Sequence, residues 1–282
     1  MIYVLSGGGV DCVALLGAMQ YLKYEPTHYI ACSGGSVISA LLISGYTIDD
    51  ILGILSTDIF VKSIDIKKID IHNALKYFGL WNTSEMFDKL AMLLEKKIGT
   101  SMTLSQFYKH TAIDLTIVGS NVSTKKAVYF NHRTHGNMPL MTSLRISCNI
   151  PLLFQAVQFE NEYYVDGGLY DIFPYEHAKT LSASDEDVIG ICVQSFKTPA
   201  PIENIRDFLY NFSLSIIETL INNTHYRNDT NVYTIDTSGI GVDIVSFLDT
   251  KIEKRKLVLQ HLLQEGSHQC ERTHLKRSLS DD

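Results

Sequence analysis

The chain opens on an apolar run, Ile2-Tyr3-Val4-Leu5, that stops at Ser6-Gly7-Gly8-Gly9. A short apolar run closed by glycine predicts a buried strand. Apolar residues then recur at helical spacing, with Ala14, Leu15, Ala18, Met19 and Leu22 in phase, which predicts a helix over Val13–Leu22. His28–Cys32 reads as a second strand and Ser36–Ser44 as a second helix. Gly45 is placed to close that helix in the left-handed conformation. Strand, helix, strand, helix in this order predicts a parallel sheet covered by helices.

Residues 47–110 read as mostly helical. Met86, Leu90, Leu93 and Leu94 form one apolar stripe, the mark of a helix packed on the core. The pattern then changes to strands. Ile113–Val118 and Ala127–Phe130 flank a polar turn, Asn121–Lys126, and Gln155–Phe159 and Tyr163–Val165 flank Glu160-Asn161-Glu162 as a hairpin. Val188–Val193 and Asn231–Ile235 are further strands. Phe247–Leu263 reads as a helix that Gly266 closes. The polar remainder, Ser267–Asp282, reads as a loose tail, so the expected domain is 1–266 with a flexible tail over 267–282.

A length of 282 residues is enough for one large α/β core. The net charge of −7 argues against nucleic acid as a partner, because phosphate contacts need a basic face. It also argues against strong electrostatic docking on anionic lipid. The longest apolar stretch, Tyr29–Tyr46, is studded with Ser and Gly, and reads as a buried strand and helix rather than a membrane span. Cysteine occurs five times with no C-x-x-C pair, so neither a disulfide framework nor a zinc site is expected. Cys12, Cys32, Cys148 and Cys192 lie among apolar or small residues and read as buried thiols. Met1–Leu5 lacks the basic start of a secretory signal. The expected setting is intracellular, in the cytoplasm or peripheral to membranes.

Chemistry concentrates at three places. Ser6-Gly7-Gly8-Gly9-Val10-Asp11-Cys12 joins a strand to a helix, and its glycines leave backbone amides bare near a helix N-terminus. Such a loop binds a phosphate or a developing oxyanion. Gly7-x-Gly9 fits the first half of a dinucleotide-binding fingerprint, but Cys12 stands at its third glycine, and the second strand ends without an acid for the ribose. Ala31-Cys32-Ser33-Gly34-Gly35 lies where a strand meets a helix, the context of a nucleophile elbow. Ser33 also has the composition of a plain N-cap, and Ser36 is a rival nucleophile one turn into the helix. Val165-Asp166-Gly167-Gly168 ends a strand and by itself reads as a turn. A serine nucleophile needs a base. The late histidines, His261, His268 and His274, fall in the last helix and tail, where a Ser-His-Asp triad has poor support.

The order of glycine-rich loop, early serine elbow and late Asp-Gly-Gly resembles the patatin-like phospholipase family. Ser33–Tyr46 is similar to that family's elbow and helix, Arg145–Phe154 to its segment before the aspartate, and Tyr164–Pro174 to its dyad strand and following loop. The resemblance covers about residues 1–266. It implies an α/β/α sandwich with a mainly parallel central sheet, and a Ser33–Asp166 catalytic dyad. It further implies an oxyanion hole from Gly7, Gly8 and Gly9, with Gly35, Gly167 and Gly168 shaping the elbow and the dyad loop. The implied activity is hydrolysis of ester-linked fatty acyl chains from phospholipids or related lipids through an acyl-enzyme, with no metal or organic cofactor and with lipid at a membrane or micelle interface as substrate. The family's glycine loop usually reads G-G-G-x-[Lys or Arg]-G. Here Asp11 holds the basic position, Cys12 the final glycine, and Ala31 the first glycine of the elbow. Asp11 reads either as an N-cap or first-turn acid of the helix Val13–Leu22 or as a charge that opposes the oxyanion. A catalytically weak relative that binds lipid or a partner is the alternative.

Overall fold

The computed structural model describes residues 1–64, 66, 68–195, 201–222, 229–240, 244–248 and 250–278. Its strands are β1 (Ile2–Leu5), β2 (His28–Cys32), β3 (Gly79–Trp81), β4 (Asp114–Asn121), β5 (Lys126–Phe130), β6 (Leu152–Phe154), β7 (Val157–Phe159), β8 (Glu162–Asp166), β9 (Val188–Gln194) and β10 (Val232–Asp236). Its helices are α1 (Val13–Leu22), α2 (Gly34–Ile43), α3 (Ile48–Ser56), α4 (Asp58–Val61), α5 (Ile71–Tyr77), α6 (Ser84–Ile98), α7 (Leu104–Thr111), α8 (Leu140–Cys148), α9 (Tyr175–Leu181), α10 (Ile205–Asn222), α11 (Ile244–Leu248) and α12 (Ile252–Ser278).

The central sheet runs β10-β9-β1-β2-β4-β8-β7, with β5 also paired to β4. From β10 to β4 the pairings are parallel; β5, β8 and β7 join antiparallel. A parallel sheet must be covered on both faces, and alternate side chains do this. Tyr3, Leu5, Ala31, Ile191 and Ile235 face a large core shared with α1, α2, α8 and α12. Val4, Ile30, Cys32, Val188 and Val232 face a second core closed by Phe173, Tyr175 and Ala178 around α9. This is the expected sandwich of helices on a mainly parallel sheet.

The local expectations hold best where glycine punctuates the chain. Helix α1 and strand β2 have the expected limits. Gly45 takes φ 90°, with Gly45 N–H donating to Leu42 O at 2.9 Å and Tyr46 N–H to Leu41 O at 3.1 Å, the paired bonds of a Schellman stop. Glu160 and Asn161, at φ 48° and 66°, form a two-residue turn that matches the twist of the β7–β8 hairpin and delivers Asp166 at its end.

The expected stop at Gly266 is corrected. The helix Ile252–Ser278 runs through it, so residues 267–278 are helical rather than a loose tail. The expected start at Phe247 is also displaced, because α11 ends at Leu248 and α12 begins at Ile252. Gly266 is present for contact. A Cβ there would stand 1.9 Å from Ala14 O, and one at Gly17 would stand 1.9 Å from Leu263 O. The two glycines let α1 and α12 cross with their backbones touching. Gly266→Leu is therefore expected to pry the helices apart and lower stability by about 1–3 kcal/mol. A urea-unfolding midpoint indistinguishable from wild type would refute the crossing.

Candidate active site

Ser33 sits between β2 and α2 at φ 50° and ψ −127°. A serine at positive φ is strained, and such strain persists only where surroundings over-determine it. Here they do. A Cβ on Gly34 would lie 2.6 Å from Gly9 O, and one on Gly35 would lie 2.5 Å from Ser6 O. The elbow is thus pressed against the glycine loop, and side chains at these two places would push it off. Ser33 N–H donates to Ser147 Oγ at 2.9 Å, which holds the turn from the α8 side. Ala31, at the elbow's first position, is fully buried in β2 without disturbing it. The rival Ser36 donates its hydroxyl to Ser33 O at 2.6 Å and is fully buried.

Asp166 ends β8 and is aligned with Gly119 of β4. Its own N–H donates to Asn149 O at 2.8 Å. Its Oδ1 accepts from Gly168 N–H at 2.8 Å, and its Oδ2 accepts from Ser33 Oγ at 2.7 Å. The turn needs Gly167, since a Cβ there would meet Val118 O at 2.5 Å. Burial pushes the Asp166 carboxyl up to about 6, while the Gly168 N–H, the Ser33 hydroxyl and the Cys32 thiol pull the other way. Burial also raises the neighbouring thiols of Cys12, Cys32 and Cys148, which stay protonated.

The glycine loop divides its amides. Gly7 N–H donates to Ile172 O at 2.9 Å. That bond removes Gly7 from the three expected oxyanion donors. The N–H groups of Gly8 and Gly9 bond to no described residue, and both glycines line one cavity with Ser33 and Asp166. Ser6 Oγ accepts from Val193 N–H at 3.0 Å, which fixes the loop to β9.

Asp11 is neither the N-cap nor a first-turn acid of α1. A short 3-10 turn, Gly9–Cys12, precedes α1, and Cys12 occupies the cap position with its thiol donating to Ser6 O at 3.5 Å rather than capping the helix. The Asp11 carboxylate is buried and accepts from Thr237 Oγ1 at 3.2 Å, tying the loop to the end of β10. It also lines the cavity. With Asp11 and Asp166 both on this cavity, a pyrophosphate would meet two carboxylates, and the dinucleotide reading loses its basis.

The cavity holds about 250 Å³ and is mainly apolar, with Val37, Ile38, Leu41, Phe87, Leu90 and Phe154 among its walls. Tyr210 and Leu214 of α10 close it from another side. Among the described residues, no group of three His, Cys, Asp or Glu side chains is placed to hold a metal ion, and no helix is long and apolar enough to cross a membrane. The five cysteines are free thiols, with Cys148 and Cys192 only half-buried.

Sequence reasoning missed the support around Asp166. Thr83 Oγ1 donates to Asn149 Oδ1 at 2.9 Å, and Asn149 Nδ2 donates to Gln155 O at 2.7 Å. This network fixes the Asn149 carbonyl that holds the aspartate. The available signal was Ser147 and Asn149, two polar residues within the apolar approach to Asp166.

A mainly parallel α/β sandwich that sets the Ser33 turn against a glycine loop and bonds Asp166 to Ser33 defines the class of the fold. The patatin-like phospholipase family matches residues 3–179, and the chain belongs to that family. A probable lipid hydrolase of invertebrate iridescent virus 6 is 31% identical over 193 residues, covering 64% of this chain and 66% of that protein. An uncharacterized protein of Acanthamoeba polyphaga mimivirus is 29% identical over 234 residues, covering 75% of this chain and 74% of that protein. The crystal structure of VipD from Legionella pneumophila superposes with a TM-score of 0.54 at 15% identity, covering 96% of this chain and 66% of VipD, a likeness of fold alone. The chain thus spans about two thirds of the iridescent virus protein and of VipD, 66% in each case.

The raised carboxyl has a stability consequence of definite sign. A group whose folded value lies above its unfolded value favours the fold at low pH, and that contribution is lost as pH rises through about 6. Asp166→Asn removes the buried charge and is expected to raise the melting temperature at pH 7, by up to about 3 kcal/mol in stability. The advantage should vanish near pH 4. Melting curves at the two pH values test this, and a destabilised variant at pH 7 would contradict the burial argument.

Proposed function

We propose that this chain is a lipid acyl hydrolase in which Ser33 is the nucleophile and Asp166 its base. The observation that carries the reading is the 2.7 Å bond from Ser33 Oγ to Asp166 Oδ2 at the wall of an apolar cavity. Asp166 takes the Ser33 proton as Oγ attacks the ester carbonyl carbon. The amides of Gly8 and Gly9 receive the oxyanion, and one such donor is typically worth about 3–4 kcal/mol of barrier. Collapse breaks the ester C–O bond, and the proton passes from Asp166 to the leaving alcohol. Water then repeats the cycle on the acyl-enzyme and frees the fatty acid. An aspartate at its ordinary value is a weak base toward an alcohol, and burial strengthens it.

Helix α10 supports a lipid surface as the place of action. Tyr210 and Leu214 line the cavity. Ile205, Phe208 and Phe212, near the opposite side of the same helix, are 60%, 50% and 47% exposed. A helix over a cavity with apolar residues also turned outward fits contact with acyl chains.

A second reading is a weakened enzyme that chiefly binds lipid. The buried Asp11 carboxylate beside the oxyanion donors favours it, because negative charge there opposes the transition state. Labelling by a fluorophosphonate separates the two readings, since only an activated serine reacts. Ser33→Ala is expected to abolish both labelling and ester hydrolysis without unfolding. Turnover that persists at the wild-type rate would end the assignment. The base must be ionised, so kcat should rise through pH about 6 and level off above it; a flat profile between pH 5 and 8 would exclude Asp166 as the base. Phe208→Ser with Phe212→Ser should depress hydrolysis of vesicle lipid far more than that of a short soluble ester, and equal losses on both would remove the interfacial role of α10.

A further inference from the structure

We infer that the cavity measures the acyl chain: it seats a straight acyl group of about eight to ten carbons along α2 and stops longer ones at Leu41, Ile51 and Leu259. This rests on the hydrolase reading and adds the acyl class of the substrate. Ser33, Val37 and Leu41 all line the cavity, and they follow one another at four-residue intervals from the N-cap of α2. That spacing is one stripe on a helix, so the cavity runs along α2 away from the hydroxyl that would carry the acyl group. A rise of about 1.5 Å per residue puts Val37 about 6 Å and Leu41 about 12 Å down this axis. Carbon–carbon bonds of about 1.5 Å in a zigzag advance about 1.3 Å each, so about 12 Å holds about eight to ten carbons. Phe87 and Leu90, one turn apart on α6, form another wall.

The exposure of the wall shows which end is open. Gly8 and Gly9 are exposed and Val37 and Leu214 half-buried, whereas Leu41, Ile51 and Leu259 are at most 1% exposed. A substrate therefore enters between the glycine loop and α10, and the cavity tapers toward the other three. They belong to α2, α3 and α12, and α3 packs against both of the others. A stop shared by three packed helices does not retreat by one rotamer change, because interiors are close-packed. Each methylene seated before the stop gains about fourfold in binding by leaving water. Each carbon beyond it must force packed side chains apart, which costs about tenfold or more. The two trends cross near Leu41, so the optimum chain length is set there rather than by hydrophobicity alone.

The test uses p-nitrophenyl butanoate, octanoate, decanoate, dodecanoate and hexadecanoate, all dispersed in the same non-ionic detergent micelles. Wild-type kcat/KM should peak at octanoate or decanoate and fall about tenfold or more by hexadecanoate. Val37→Phe brings the stop to about 6 Å from Ser33 and should move the peak to butanoate. Ile51→Ala removes part of the stop and should move the peak to dodecanoate or beyond, raising the ratio of hexadecanoate to octanoate by about tenfold. Melting curves verify that both variants fold. Where the core truncation at Ile51 does not fold, Val37→Phe, at a half-buried wall position, decides alone. Hexadecanoate cleaved by wild type as well as decanoate would overturn the inference, as would one and the same peak in wild type and Val37→Phe. Failure to cleave any of the esters would instead remove the hydrolase reading beneath it.

Discussion

One hydrogen bond, from Ser33 Oγ to Asp166 Oδ2, joins two places far apart in the chain, and much of the architecture serves to make it short. Ser33 leaves β2 and Asp166 leaves β8, and both strands pair with β4. The bond therefore depends on the register of β4 with two partners of opposite direction. A slip of one residue would turn the carboxylate to the other face of the sheet. The hairpin turn at Glu160 and Asn161 sets one register, and the burial of both faces of β2 sets the other.

The same bond explains why the surroundings are dry and crowded. A carboxylate surrounded by thiols and apolar side chains is a stronger base, and the proton it accepts relieves its own desolvation. The fold therefore accepts a less stable state at neutral pH around the proposed dyad, as proteins commonly do at active sites. The glycines that follow Ser33 and Asp166 are part of this arrangement. Gly34, Gly35 and Gly167 each remove a side chain where one backbone lies against another, so the elbow, the glycine loop and the dyad turn form a single packed unit.

What the sequence revealed follows from which signals are local. Strands β1 and β2 and helix α1 were legible because buried runs ended in glycine or in a polar break. The three chemical motifs were legible by type and order, but only the family resemblance implied that they meet; β4, which pairs with both β2 and β8 and so joins the elbow to Asp166, carries no chemistry of its own. Gly266 misled because a glycine that ends a helix and a glycine that lets a helix approach its neighbour look alike along the chain. Helix α10 gave no periodic signal, since apolar residues on two faces erase the contrast that a helical pattern needs. Asp11 looked like a cap because only three dimensions reveal Thr237 beside it.

The crossing of α1 and α12 at Gly17 and Gly266 has a consequence for how the chain acquires its shape. Strand β1 lies between β2 and β9, and the helix behind its loop is covered by an element near the other end of the described chain. As the protein emerges from the ribosome, β1 keeps one edge unpaired until β9 appears, and α1 keeps an apolar face open until α12 arrives. Such long-range closure slows folding and leaves early chains prone to association. The Ser33–Asp166 pair, although both residues precede residue 170, lies in a cavity whose wall is completed by Leu259 only when the last described helix docks.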